Sequence, residues 1–470
     1  MKTIRLLIVA LLVVSTASAQ SYSGAGNAKE GEYSPTVYLI SVHETDTIYT
    51  NEGCDAAMEA AALNRLAVES AIQDYRDTHR LGFQQVEKPQ FIFTTKNNKF
   101  SFAVGGYINL RAGYDFDGGV NNIDFIPYDI PMQETYANRQ KLMMDATTSR
   151  IYLKAVTNSN KLGRIVVFID ADFRGGSENS YTPRVRSAYV SLGGFTFGRD
   201  VTTFCDLLAA PQTIDFQGPN AYNFNFATMI RYQFSVWKDV FQMGMAAELP
   251  NVSGTYGPNF APIPQRVPDF PVYLQLSWGR NRSSHIRASA VFRDIYMHNT
   301  RTGNNTSYFG WGVQGSGHIR IWKAFDLFFN GVYGQGITPY IQDLTGSGLD
   351  FTPNPGNYER IQTTPMYGWQ AAAQINLVPG KLHIAGGYSA VTVAKRNGFY
   401  AENEYREGQY IFGNIFWNIT PRFKLAGEYL YGTRENMDGL KNHANRANLM
   451  VQYNFCLLYT SDAADDLIGV

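Results

Sequence analysis

The stretch FSFAVGGYINLRAGYDF, residues 100–116, decides the fold class. Every second position from Phe100 to Phe116 is apolar or glycine, through Phe102, Val104, Gly106, Ile108, Leu110, Ala112 and Tyr114. Between them stand Ser101, Asn109, Arg111 and Asp115. A period of two over such a length describes a strand with one oily face and one wet face. It is longer than an ordinary soluble strand and suits a tilted strand that crosses a membrane and continues a little beyond it.

Segments of the same kind recur to the end of the chain. Strands are expected near 150–158, 163–174, 184–192, 195–200, 226–236, 240–248, 270–280, 285–296, 307–322, 325–337, 366–378, 381–394, 407–420, 422–431 and 446–455. With the first they make about sixteen, an even number as single-chain bacterial barrels require. The expected fold is therefore all-β, a transmembrane antiparallel β-barrel over residues 98–455. Short turns at 158–163, 193–194, 237–239, 379–380 and 420–421 alternate with long loops at 117–149, 201–225, 249–269, 338–365 and 395–406. With both termini periplasmic, every long loop lies outside, and sixteen strands leave a bore that side chains of the wall do not fill.

Lys2 and Arg5 precede an apolar run from Leu6 to Val14, and Ala17, Ser18 and Ala19 supply the small residues a signal peptidase reads. Residues 1–19 are thus expected to be a signal peptide, cleaved before Gln20, and no cysteine follows to take a lipid anchor. Residues 20–97 are expected to be a periplasmic segment. Within it 55–80 has the spacing of a helix, with Met58, Ala61, Ala62, Leu66, Val68, Ile72 and Tyr75 on or near one face. At the other end, the run from Cys456 to Ser461 and the acids after it look like a translated sequencing adapter, so 456–470 is set apart from the fold. The strand before it ends on Phe455, resembling the terminal aromatic by which outer-membrane barrels are recognised by their assembly machinery. The expected location is the outer membrane of a Gram-negative bacterium, with outer-membrane lipid as the partner of the oily face.

Forty basic and forty acidic side chains balance, which argues against nucleic acid as a partner. Aromatic residues near strand ends, Phe100, Phe102, Tyr114, Phe116, Trp278, Trp322, Trp369 and Trp417, suit the two membrane interfaces. Filling the core of a large soluble sandwich would be the alternative use of such rings. Polar parity assigns Arg111, Lys154, Arg164, Arg174, Arg231, Arg287, Arg293, Arg320, Lys424 and Arg446 to the lumen, against Asp115, Asp170, Asp172, Glu248, Asp326 and Glu428. An excess of pore cations lowers the barrier for anions. The same arginines could instead pair with neighbouring acids and stiffen the wall.

Signals for an enzyme are poor. Gly310, Gly312 and Gly315 match a nucleotide-loop spacing but lie inside an alternating strand and open no helix. His318 and His383 fall on lumen parity and are expected to line the pore. No zinc motif or nucleophile elbow occurs, and neither a cofactor nor a metal is expected. Cys54 and Cys205 are expected to be free thiols.

A specific resemblance resides in residues 184–219. Arg184, Arg186, Ala188, Tyr189 and Val190 form an Arg-x-Arg-x-Ala-Tyr-Val strand. Thr203, Phe204 and Asp206, then Pro211, Thr213, Asp215 and Phe216, then Gly218 and Pro219 follow in order. This pattern resembles the DcaP-like family of trimeric outer-membrane porins. The resemblance implies a homotrimer, a third outer loop folded inward to narrow the pore, and passage of small organic anions such as dicarboxylates. Arg199, Asp200 and Cys205 depart from that pattern. Two other functions stay open on sequence: a binding or adhesion barrel, and a barrel hydrolase.

Overall fold

In the computed structural model, which describes residues 37–41, 91–95 and 100–455 apart from 178–179, 238, 280–281, 396–398 and 421, sixteen strands close into one antiparallel ring. They are β1 (Phe100–Asp117), β2 (Arg150–Ser159), β3 (Gly163–Asp172), β4 (Arg184–Leu192), β5 (Phe195–Val201), β6 (Phe226–Val236), β7 (Phe241–Glu248) and β8 (Phe270–Trp278). Then come β9 (Ser284–Asn299), β10 (Asn304–Trp322), β11 (Phe325–Gln335), β12 (Pro365–Val378), β13 (Leu382–Val393), β14 (Tyr405–Asn418), β15 (Phe423–Asn436) and β16 (Lys441–Asn454). Each pairs with its sequence neighbour, and β16 returns to β1 with Val451 opposite Leu110 and Leu449 opposite Ala112. Closure leaves no strand edge within the ring, as lipid requires.

The environment of the two faces is the reverse of a soluble protein. On β1, Phe100, Val104, Ile108, Leu110 and Phe116 are exposed, while Asn109, Arg111 and Asp115 are buried. On β8, Phe270, Val272, Leu274, Leu276 and Trp278 point out and Tyr273, Gln275 and Ser277 point in. An exposed apolar surface continuous around a closed sheet is a lipid-facing surface. Its aromatics fall at two levels. Phe195, Phe197, Trp237, Trp278, Trp322, Trp417 and Tyr453 mark the inner end, and Phe116, Phe270, Phe292, Phe309, Tyr333, Tyr367 and Trp369 the outer. Among the described residues the only other sheet is the two-stranded one of Phe351–Asn354 and Asn357–Thr363 in an outer loop, and the oily face stays exposed around the ring, so the sandwich alternative falls away.

Turn chemistry agrees with the ends. Gly193 and Gly194 both have positive φ, 54° and 86°, the combination a two-residue primed hairpin needs. On the far side several loops are long, and four of them, 118–149, 202–225, 249–269 and 336–364, carry buried residues into the barrel. The wall is also uneven in height. Strands β2 to β8 have 7 to 11 residues, whereas β9 and β10 have 16 and 19.

Before the barrel, a short strand Phe91–Thr95 pairs with β1, placing Ile92 opposite Ala103, and Val37–Ser41 pairs with that strand in turn. Alternation did not mark these two, because five residues are too few to establish a period. The signal peptide, the helix expected near 55–80, Cys54 and residues 456–470 lie outside the described residues.

Candidate functional site: the bore and the loop that crosses it

Inward parity places every arginine assigned to the lumen on the inner side of the wall or just above it, and most meet a carboxylate there. Arg111 bonds Asp145 at 2.7 Å and Asp124 at 3.2 Å. Arg231 pairs with Asp200 at 2.7 Å, Arg320 with Asp326 at 2.8 Å, and Arg446 with Asp115 through both forks. Arg293, with no exposed side-chain surface, joins Asp269 at 3.0 Å and Asp350 at 3.1 Å. Arg174 sits just past the end of β3, pairs with Asp124, and lies 4.7 Å over the Phe216 ring. Arg164 is half-buried toward the inner end of β3. Asp170 and Asp172 are not open carboxylates either: Asp170 meets Arg150 and Arg186, and Asp172 meets Arg184 at 2.6 Å and Arg186 at 3.0 Å.

The expected excess of lumen cations is therefore corrected. Strand parity counts only the wall, and the loops carry acids into the bore. Asp124, Asp206, Asp215, Asp269, Asp343 and Asp350 all come from loops and are all buried. Bidentate, enclosed pairs of this kind are structural before they are selective. His318 bonds Asp326 at 2.9 Å and His383 stacks on Phe416, both contacts made within the wall.

The third outer loop, residues 202–225, crosses the bore. It is rooted at Glu248, whose carboxylate accepts from the Thr202 hydroxyl at 2.6 Å and the Thr203 amide at 2.7 Å. Asp206 then reaches β9 and β10, accepting from His285 at 2.8 Å and Ser316 at 2.6 Å. Gln370 of β12 donates to the Ala209 carbonyl, and Asn414 of β14 to that of Gln212, each at 2.9 Å. At the far wall Glu428 of β15 accepts from the amides of Ile214 and Asp215, at 2.9 and 2.8 Å. The return leg is held by Ser389 and Asn330 on either side of Ala221 and by Gln314 at Asn223.

Each residue expected in this loop has a place in that path. Phe204 is fully buried against Tyr340, edge to face at 5.3 Å. Pro211 and Pro219 are buried where the chain bends, and Gly218 has φ of 68°, which favours glycine. Thr213 donates to the Asp215 carbonyl at 2.8 Å. Half-buried Leu207, Leu208, Gln212, Thr213, Phe216 and Gln217 form the loop's more open side. The acids do not: Asp206 and Asp215 are anchors. Cys205 is a buried free thiol whose pKa burial pushes up to about 12, so it stays protonated. His285 and Arg150 complete these networks and were not singled out by sequence, although each falls on inward parity of its strand; Arg186 and Asp200, noted in the sequence only for the family pattern, join them as ion-pair partners.

Asp215 gives the seat a pH dependence. Its Oδ2 accepts from Tyr410 at 3.0 Å and Gly218 at 3.1 Å, and its Oδ1 from the amide of Phe125 at 3.0 Å. Burial, then the charges of Asp124 and Glu428, push its pKa up to about 7. The folded site therefore holds a proton that the unfolded chain has lost. That contribution is full below the ordinary carboxyl range and is lost as pH rises through about 7. Raising the pH from about 5 to about 8 is thus expected to loosen the loop, read as greater current noise across a bilayer, and Asp215→Asn is expected to flatten the dependence. A wild-type trace indifferent to pH would refute it.

The model of the DcaP outer membrane protein family matches residues 84–260, a span that includes β1 to β7 and the crossing loop. Among solved structures, the outer membrane channel DcaP of Acinetobacter baumannii is similar at 19% identity and a TM-score of 0.65, covering 76% of this chain and 97% of that one. Salmonella typhi OmpF, solved with daunomycin, is similar at 12% identity and a TM-score of 0.45, over 76% of this chain and 99% of that one. No curated protein matches the chain. Residues 184–219 lie within the matched span, and the fold of the barrel is like that of the DcaP channel.

Proposed function

We propose that this chain is a porin of the Gram-negative outer membrane, giving passive diffusion to small hydrophilic solutes and favouring small organic anions such as dicarboxylates. The observation that carries this is the inversion of faces around a closed ring. Lipid-compatible side chains lie outside, ion pairs and amides inside, and one ordered loop spans the space between opposite walls. A wall so lined hydrates a passing solute, and a loop pinned at both walls sets the width available to it. Among the described residues, the buried cluster that brings a serine and a histidine together turns both toward one carboxylate, which supports a passive channel over an enzyme. His285 and Ser316 both spend their contact on the Asp206 carboxylate.

The chain works as a homotrimer in this proposal. Strand β5 has 7 residues. Tilted at about 40° and rising ~3.3 Å per residue it is shorter than the ~25 Å apolar band of such barrels, so that side of the wall is best covered by a second copy. Assembly of the barrel proceeds through recognition of the last strand and Phe455.

Purified protein in planar bilayers tests the proposal. Discrete conductance steps in triplets, with a reversal potential under a KCl gradient that favours chloride, are expected. A closed barrel would point to a binding or adhesion protein instead, hydrolysis of phospholipid by the pure protein would revive an enzyme, and cation selectivity would remove the anion preference.

A further inference from the structure

Arg287 differs from Arg111, Arg174, Arg231, Arg293, Arg320 and Arg446 in having no carboxylate within ion-pairing distance among the described residues. It stands on β9 with Gln275 of β8 and Ser316 of β10 directly opposite. Its guanidinium lies 3.6 Å from the centre of the Tyr273 ring, and the Tyr273 hydroxyl is fixed in turn by Gln233 at 2.7 Å. One terminal nitrogen donates to the Cys205 carbonyl in the crossing loop. Its Nε finds no acceptor. The adjacent loop acid, Asp206, is already engaged by His285, Ser316 and the Leu208 amide.

We propose that Arg287 is the specificity-determining residue of the pore. This rests on the porin function proposed above. A guanidinium cannot lose its proton at physiological pH, so its charge persists where the paired arginines are cancelled. The aromatic face and the carbonyl hold its plane in one orientation, and neither neutralises it. Arg287 as a residue is half-buried, with its Nε enclosed, on the inward parity of β9 at the level where the loop begins its crossing. An oxyanion, a carboxylate above all, is met by the terminal N–H groups that the Cys205 carbonyl does not take. Selectivity is then concentrated at this point of the wall. Arg111, Arg231, Arg293 and Arg446 shape the wall without contributing to it.

Reversal potentials of wild type, Arg287→Gln, Arg287→Glu, Arg287→Lys and Arg320→Gln under one KCl gradient test this. One unit charge at about 4 Å in a water-like dielectric changes an anion's local population about fivefold, so Arg287→Gln is expected to lower the chloride-to-potassium permeability ratio on that scale. Arg287→Glu is expected to invert it. Arg287→Lys keeps the charge and is expected to retain most of the ratio, which a merely loop-positioning role would not predict. Arg320→Gln removes an equal charge near the inner mouth, where it is half-exposed and screened, and is expected to shift the ratio less. A wild-type channel without anion preference removes the function on which this rests. An anion-preferring wild type left unchanged by Arg287→Gln, or changed equally by Arg320→Gln, overturns the assignment of Arg287 alone.

Discussion

Replacing Glu428 by alanine is expected to raise the single-channel conductance and to lower the temperature at which the barrel unfolds in detergent. The carboxylate of Glu428 accepts both amides at the tip of the crossing loop, Ile214 and Asp215, and also the side-chain amides of Asn414 and Asn448. Alanine leaves two buried backbone donors without a partner, at about 1–3 kcal/mol for each. The loop has a cheaper alternative, which is to leave the far wall and let water reach those amides. Ile214 would then come away from Phe416, Ala426 and Met450, against which it packs. Conductance rises because the span between walls is broken, while the root at Glu248 still ties the loop at its start. Glu428→Gln offers one acceptor and turns a donor toward the second amide, so it is expected to fall between wild type and alanine. An unchanged conductance in Glu428→Ala would mean that the loop is not the narrowing element.

The second large effect concerns Arg293. Its three nitrogens hold Asp269, Asp350 and the carbonyls of Gly336 and Asn251, so one side chain joins β9 to the fourth and sixth outer loops. Asp350 also accepts from the amide and hydroxyl of Thr338, both at 2.9 Å, and Tyr340 donates to Asp269 at 2.9 Å. Arg293→Met removes the cation and leaves two buried acids facing each other, a change expected to destabilise the fold by about 3–5 kcal/mol. Its readout is an earlier thermal transition together with new protease cuts in residues 249–269 and 336–364. Combining it with Asp269→Asn and Asp350→Asn is expected to restore much of the loss, because the penalty comes from unpaired charge more than from a missing contact. If Arg293→Met unfolds with wild type, the loops are held by their apolar cluster of Phe260, Ile295, Met297, Phe351 and Ile361 alone.

These two sites differ in how far a sequence could announce them. Glu428 and Arg293 are each visible as a charge on the inward parity of an alternating strand, and nothing local says what either one grips. Glu428 meets residues more than two hundred positions away, and Arg293 meets acids from two separate loops. The same holds for the balance of charge in the bore. The wall reads as cationic until Asp124, Asp206, Asp215 and their neighbours fold in from loops, whose paths follow no period. The two short strands ahead of the barrel escaped for a simpler reason, being too brief to alternate visibly.

Strand order, strand number, the direction of each face and the side on which the long loops emerge were all determined by the sequence alone. Each follows from a choice repeated every two residues between lipid and water, which is local and cumulative. Which arginine keeps its charge, where the crossing loop is pinned and how the bore is divided were decided only by tertiary structure. Those depend on pairs of groups brought together across the whole ring, and the strength of a buried charge is set by its partners in space and not by its place in the chain.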